Sequence, residues 1–315
     1  MNKRILITGG SGFIGKYITK FFIKRNFFVI NFDIKPIKNF KSKNYKFVKG
    51  DIKHIDNLKK SFTNIDYVFH LAAINGTNNF YDFPIKVLEV ASYGILNVCK
   101  LCEKYKVKKL FIFSSSEVYN QPKIIPTNEK VEIKIPDVTN PRFSYSGGKI
   151  FSELLGLNYA LEKKIKNVVI IRPHNVYGAH MGFFHVIPQL YKKIYFKIKN
   201  KKLKNINLKI IGSGNEIRSF IFIEDFLEGF YKVFKNNKNG NIYNIGNNEP
   251  VKISKLVNIF AKILKIKIKI SNIKGHDGGP SKRIPDISKI KKLGYKKKFN
   301  IVKGMKEYIK YEKVK

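Results

Sequence analysis

Tryptophan is absent from this chain of 315 residues, and only two cysteines and three methionines occur. The cysteines, Cys99 and Cys102, form one CxxC with no second pair, so neither a disulfide framework nor a four-ligand zinc site follows and buried thiols are expected. No window approaches the roughly 18 apolar residues of a membrane span. The start, with Ile5-Leu6-Ile7 after two basic residues, has the outline of a secretion signal, but Thr8-Gly9-Gly10 breaks the run at once, and a cytoplasmic location is expected. Internal repeats are lacking, and low complexity is confined to lysine-rich stretches such as 199–204 and 296–298.

Acidic residues are also scarce, 22 against 62 basic ones, for a net charge of +40. That balance suggests nucleic acid or an anionic surface as partner. The lysines, however, are spread along the whole chain, and the abundance of Ile, Asn, Phe and Tyr suits AT-rich coding. Compositional drift is the simpler reading, and no nucleic-acid partner is expected. The field would still help to collect an anionic substrate at low salt. Only six basic residues are arginine, so an arginine here marks a place where planar, bidentate geometry matters. Arg172, Arg218 and Arg283 stand out on that ground, as do the rare acids Asp33, Glu117, Asp225 and Asp286.

With 43% hydrophobic residues the chain can bury a full core. Its first half alternates strand candidates (Arg4–Thr8, Phe27–Asp33, Tyr45–Val48, Tyr67–Leu71, Lys109–Ser114, Val168–Arg172) with helical stretches (Phe13–Arg25, Ile55–Phe62, Pro84–Tyr105, Tyr145–Lys164). That order predicts an α/β fold, a Rossmann-type doubly wound parallel sheet whose ligand sits at the carboxyl ends of the strands. After Pro173 the regularity decays into short strands (Leu208–Ile211, Phe220–Ile223, Asn241–Ile245, Ile266–Ile270) and helices (Ile187–Ile198, Ile223–Phe234, Ile253–Leu264, Ile301–Tyr311). A dinucleotide-binding domain over 1–173 and a smaller C-terminal α/β substrate lobe over 174–315 are expected, with some chain crossing back to the sheet.

Four clusters carry chemistry. Gly9, Gly12 and Gly15, with Phe13 and Ile14 between them, form a glycine loop between a strand and a helix. Glycine lets backbone N–H groups approach a pyrophosphate, and the helix N-terminus supplies partial positive charge. Asp33 closes the second strand 18 residues after Gly15, where a carboxylate accepts both adenosine ribose hydroxyls and repels a 2′-phosphate, which favours NAD over NADP. Asp51-Ile52 and Leu71-Ala72-Ala73, after the third and fourth strands, would lie along the dinucleotide. Ser114-Ser115-Ser116-Glu117 ends the fifth strand. Tyr145 and Lys149, four apart, share one helical face, so an ammonium can stabilise a phenolate that takes a proton from a sugar hydroxyl. His174, His180 and His185 straddle a Pro- and Gly-rich loop without carboxylate or thiolate partners, and no metal is expected.

Taken together these motifs resemble the extended short-chain dehydrogenase/reductases, the NAD-dependent nucleotide-sugar epimerase/dehydratase family. The likeness continues through Arg172-Pro173-His174-Asn175-Val176-Tyr177-Gly178, Arg218-Ser219-Phe220-Ile221-Phe222-Ile223-Glu224-Asp225 and Arg283-Ile284-Pro285-Asp286-Ile287. The resemblance implies an enzyme with Tyr145 as base, Lys149 as its electrostatic partner and ribose ligand, and Ser115 as hydroxyl donor. It implies that Pro173 and His174 flank the nicotinamide and that Asn175, Arg218 and Arg283 hold a substrate diphosphate, with Ser115 and Ser116 at the sugar. It also implies a homodimer through Pro84–Tyr105 and Tyr145–Lys164. Ser115-Ser116-Glu117 is similar to the Thr-Ser-Glu of GDP-mannose dehydratases and UDP-glucuronate decarboxylases, so Glu117 is expected to remove the C5 proton of a 4-keto sugar. The alternatives are a simple 4-epimerase in which Glu117 is structural and, more distantly, a non-catalytic nucleotide- or RNA-binding relative.

Overall fold

A computed structural model describes residues 2–183, 185–199, 203–273 and 280–313. Its first half runs β1 (Arg4–Thr8), α1 (Phe13–Ile23), β2 (Phe28–Asp33), β3 (Tyr45–Lys49), α2 (Ile55–Lys59), β4 (Tyr67–His70), α3 (Thr77–Asp82), α4 (Pro84–Lys104), β5 (Lys109–Phe113), α5 (Ser144–Leu161) and β6 (Val168–Pro173). The strands form one parallel sheet in the order β6-β5-β4-β1-β2-β3. A seventh strand, Ile242–Ile245, pairs with the free edge of β6. Expected and observed strands of this half agree within a residue. The helices end sooner than expected: α1 stops where Asn26 turns left-handed, and α2 tightens after Lys59 into the turn that brings Phe62 inward. The short helix α3 had no counterpart in the sequence reading.

A parallel sheet is covered on both faces, so its strands read as unbroken apolar runs. Residues then sort by parity. Ile5, Ile7, Phe69, Phe111, Val169 and Ile171 face α1 and the helix Ile223–Asn236, where Phe22, Phe226, Phe230 and Phe234 fill the space. Leu6, Ile30, Val68, Leu110, Ile112, Val168 and Ile170 face α2 and α4, where Leu58, Ile95, Val98, Cys99 and Cys102 pack. Burial pushes the Cys99 thiol up to about 12, which makes it an inert core residue. Among the described residues no cluster of His, Cys, Asp or Glu could hold a metal ion, and no helix is long and apolar enough to cross a membrane.

Beyond Pro173 the described residues build three small sheets, of which the one carrying Arg218 and Arg283 reaches the site. Asn205–Ile211 pairs in parallel with Lys267–Ile273. Ile217–Arg218 lies between Val251–Lys252 and Lys282–Arg283, and its parallel register with the latter sets Arg218 directly beside Arg283. Of the expected strand Phe220–Ile223 only Ile221–Phe222 forms, because Ile223 already opens the following helix.

The seventh strand ties the halves together through Asn244. Its side-chain oxygen accepts from the Tyr119 hydroxyl (2.8 Å) and from His174 Nε2 (3.0 Å), and its amide nitrogen donates to the Thr127 carbonyl (3.0 Å). Its backbone N–H donates to Glu129 Oε1 (2.9 Å). Arg172 is part of the same buried network. Its Nε and Nη2 donate to Glu153 at 2.9 and 2.6 Å, and Nη1 to the Tyr119 hydroxyl at 2.8 Å. The bidentate geometry expected of a rare arginine is present, but it holds α5 to β6 inside the protein.

Candidate active site

The carboxyl ends of β1, β2, β4, β5 and β6 open onto one cavity of about 960 Å³. Its first wall is the glycine loop. Gly9 adopts φ +74°, and a Cβ there would stand 2.7 Å from the Ala72 backbone nitrogen. A Cβ on Gly15 would stand 2.3 Å from the Gly9 carbonyl oxygen. The loop therefore lies against the end of β4 and against its own helix, as close as backbone allows. Gly12 caps α1 with no side chain on the first-turn N–H groups. Asp33 is held on the wall by backbone donors, Ser11 N to Oδ2 (3.0 Å) and Lys35 N to Oδ1 (3.3 Å). Asn31 braces the loop from behind by donating to Ser11 Oγ (2.9 Å). Phe13, Ile14, Asp51, Ile52, Leu71, Ala72 and Ala73 line the same space.

At the far end lie Ser115, Tyr145 and Lys149. Ser115 follows β5 and caps a short 3-10 turn, its Oγ accepting from Glu117 N (3.1 Å). Tyr145 and Lys149 stand one turn apart on α5, with the ammonium 5.8 Å from the phenol ring centroid. Lys149 Nζ donates to the Phe113 carbonyl (2.7 Å), which anchors it under the end of β5. Ser115 stands near enough to the Tyr145 hydroxyl to favour its ionisation. Burial raises the Tyr145 pKa above the ordinary phenol value, opposed by Ser115, and lowers Lys149 to about 8, opposed by Glu153. Each shift favours the uncharged form: Tyr145 resists ionising, while Lys149 still carries its proton at neutral pH, and both respond strongly to any charge brought into the cavity.

Glu117 has different company. Arg283 grips its carboxylate with both terminal nitrogens, Nη2 donating to Oε2 at 3.0 Å, and Arg142 Nη2 stands 3.8 Å away. Burial alone would raise the Glu117 pKa, but the charge and bonds of Arg283, with Arg142 and Arg218 beyond, hold it at about 2. Arg218 lies beside two like charges, and burial together with Arg283 lowers it to about 10. Three guanidiniums and one carboxylate therefore share this end, a site short of negative charge.

Ser116, Pro173 and Asn175 also reach the wall, Asn175 from a left-handed backbone with its amide donating to the Ser219 carbonyl (2.8 Å). His174 does not. It is fully buried, its ring turned back to Asn244, and burial lowers it to about 3, so it is neutral. His185 lines the cavity and His180 does not, and the three histidines share no site.

A sequence profile described as the NAD dependent epimerase/dehydratase family matches residues 5–246. The chain belongs to that family. It is accordingly an NAD-dependent enzyme. The dTDP-D-glucose 4,6-dehydratase of Dictyostelium discoideum is 32% identical over 84% of this chain and 62% of its own length. UDP-glucuronic acid decarboxylase 1 of Danio rerio is 26% identical over 98% of this chain and 72% of its own. Among solved structures, epimerase Mth375 of Methanothermobacter thermautotrophicus superposes with a TM-score of 0.88 at 25% identity, covering 99% of this chain and 93% of that one.

The cavity of this family member is also lined by Arg142, His185 and Phe80, for which the sequence gives little or no signal. Arg142 precedes Tyr145 by three positions, and the rarity of arginine that drew attention to Arg218 and Arg283 applied equally to it. His185 was weighed only as a metal ligand. Phe80, on α3, carried no signal beyond being an aromatic in a polar stretch.

Proposed function

We propose that this cavity takes a nucleoside-diphosphate sugar and that the enzyme oxidises it at C4 to a 4-keto sugar, which is then dehydrated across C5 and C6, epimerised or decarboxylated. The observation that supports this best is the meeting of Tyr145, Ser115 and Lys149 at the end of the glycine-lined cavity. NAD fits the residues present: a glycine cradle too close for any Cβ, an open helix start for the pyrophosphate, and a braced carboxylate at Asp33 for the ribose. Gly9, Gly12, Phe13, Ile14 and Gly15 would hold it with Asp51, Ile52, Leu71, Ala72, Ala73 and Pro173, and with backbone only at His174. When bound, it supplies the hydride acceptor for C4 and returns the hydride later.

The remaining chemistry belongs to the chain. Tyr145 takes the C4 hydroxyl proton. Ser115, next to the phenol, holds the reacting oxygen, and the Lys149 ammonium stabilises the phenolate across the shared helical face. Arg218, Arg283 and Asn175, joined by Arg142, offer cations and an amide to the diphosphate, whose two negative charges this end lacks. Glu117 and Ser116 reach the same space, and on this reading Glu117 takes the C5 proton once C4 is a ketone. A second reading, a simple 4-epimerase with Glu117 structural, is favoured by the Arg283 clamp, which leaves the carboxylate a weak base. Incubation with UDP-, GDP-, CDP- and dTDP-sugars in deuterated water separates the two. Deuterium at C5 or a 4-keto-6-deoxy product supports the first, and C4 inversion without exchange supports the second. No turnover of any of them, with Tyr145→Phe indistinguishable from wild type, refutes both.

We further infer a cytoplasmic homodimer, with 1–173 serving the cofactor and 174–315 mainly the substrate. Phe151, Leu154 and Leu161 form one exposed stripe on α5, beside exposed Ile85, Leu88 and Tyr93 on the adjoining α4, an apolar surface that a second copy would cover.

A further inference from the structure

Tyr145 is not held by either of the two large cores. Its ring belongs to a separate small cluster with Phe80 and Val87, with Ala73 and Ile74 packed against it. The central contact is a parallel stack: the Phe80 and Tyr145 rings lie 4.9 Å apart at 11°. Among the described residues, aromatic pairs of the main core meet edge-on or tilted, apart from Tyr231 and Phe234. Both rings are nearly sealed, Phe80 at 5% exposure and Tyr145 at 7%, and both touch the cavity.

The local backbone is built to deliver Phe80 to that place. Gly76 turns the chain at φ 114°, ψ 125°, a conformation closed to residues with a Cβ. The six-residue α3 follows and ends at Phe83, directly before Pro84 opens α4. It packs on the turn Pro141–Phe143, which leads straight into Tyr145. The helix that carries Phe80 and the turn that aims Tyr145 thus fix each other. A flat ring stacked on one face of the phenol fixes the plane in which its hydroxyl lies, and Ser115 is the neighbouring hydroxyl that acts on it.

We propose that Phe80 is a positioning residue for Tyr145: its ring fixes the plane of the phenol and keeps water from one face, so that the hydroxyl points only at Ser115 and the reacting oxygen. This deepens the reading of Tyr145 as the base and rests on it. The residues around the phenol in this cluster, Ala73 and Ile74 after β4, Phe80 on α3 and Val87 on α4, carry no charge. The charged groups that act on the phenol are Glu117, two residues beyond Ser115, and Lys149 on α5.

The test is ionisation of Tyr145, followed by NMR in protein carrying 13Cζ-tyrosine and loaded with NAD, with the resonance assigned by its loss in Tyr145→Phe. Phe80→Ala admits water to the buried face, so the titration midpoint is expected to fall by about one pH unit or more, while Phe80→Tyr, which keeps the stack, leaves it in place. In the sugar panel Phe80→Ala lowers kcat by about tenfold or more with KM little changed, and Phe80→Tyr restores it. Phe80→Leu, nearer the wild-type volume but without a flat face, covers the case in which alanine does not fold, and it shifts the midpoint in the same direction. A folded Phe80→Ala or Phe80→Leu protein that titrates like wild type overturns the proposal. Because the titration needs no substrate, it can fail while the panel succeeds, or succeed while the panel fails.

Discussion

Replacing Arg283 by methionine should cost stability through Glu117, and the amount follows from the geometry. The guanidinium holds the carboxyl at about 2, against an ordinary 4.5, while burial pulls the other way. The drop from 4.5 to about 2, at about 1.4 kcal/mol per pH unit, corresponds to about 3.5 kcal/mol at neutral pH, most of it from Arg283 with smaller shares from Arg142 and Arg218. The carboxylate remains 29% exposed toward the cavity, which trims the figure rather than removing it. A depressed acid contributes stability that is fully present above its unfolded pKa and is lost as pH falls through the folded one. For wild type the loss therefore runs from about pH 4.5 down to about pH 2. In Arg283→Met the buried carboxylate has lost its main partner, its pKa rises, and this arm of the pH dependence flattens. The expected fall in melting temperature is about 4–5 °C at pH 7, and it shrinks on acidification. Urea unfolding at pH 7, 5 and 4, with Glu117→Gln and the double variant completing a cycle, measures the coupling directly. Equal stability of wild type and Arg283→Met at pH 7, or two single losses that simply add, would refute the clamp.

Three further outcomes follow from other residues. The Lys149 ammonium is lost as pH rises through about 8, so kcat/KM should fall on the alkaline side from there, and Lys149→Arg should move that limb upward in a pH–rate profile. Asp33→Ala removes charge-assisted bonds and the repulsion of a 2′-phosphate. NAD affinity should drop about 10- to 100-fold while NADP loses far less, as read by calorimetric titration. Sedimentation of the wild-type chain should give twice its 36.5 kDa, and Leu154→Glu should return it to the single-chain mass.

The sheet and the cofactor wall were legible because their signals are local. An apolar run, a glycine loop and an acid at the next strand end lie within 33 residues, and parallel pairing carries them to one edge. Tyr145 and Lys149 carry a local spacing signal, whereas Ser115 is singled out within its serine run only by the family resemblance. What escaped the reading depends on partners far away in sequence. Glu117 looked like a free base because nothing nearby announces Arg283, 166 residues on. His174 looked like a cavity residue because its partner, Asn244, comes from the last strand of the sheet. Arg172 was correctly marked as needing a planar partner, but the sequence could not say that Glu153 would be that partner. Phe80 sits on a helix of six residues, too short for periodicity to reveal.

The seventh strand bears on how the protein can be cut. A fragment ending at Pro173 would contain every residue of the glycine loop and the Tyr-Lys pair, yet it would leave the hydrogen-bonding edge of β6 bare beside Val168, Val169, Ile170 and Ile171, all fully buried in the whole chain. Such an edge recruits strands from other molecules. The same fragment would strip Asn244 from the Tyr119 hydroxyl and the Thr127 carbonyl, leaving buried polar groups without partners. The two halves are therefore expected to melt in a single transition, and the cofactor half to precipitate when made alone.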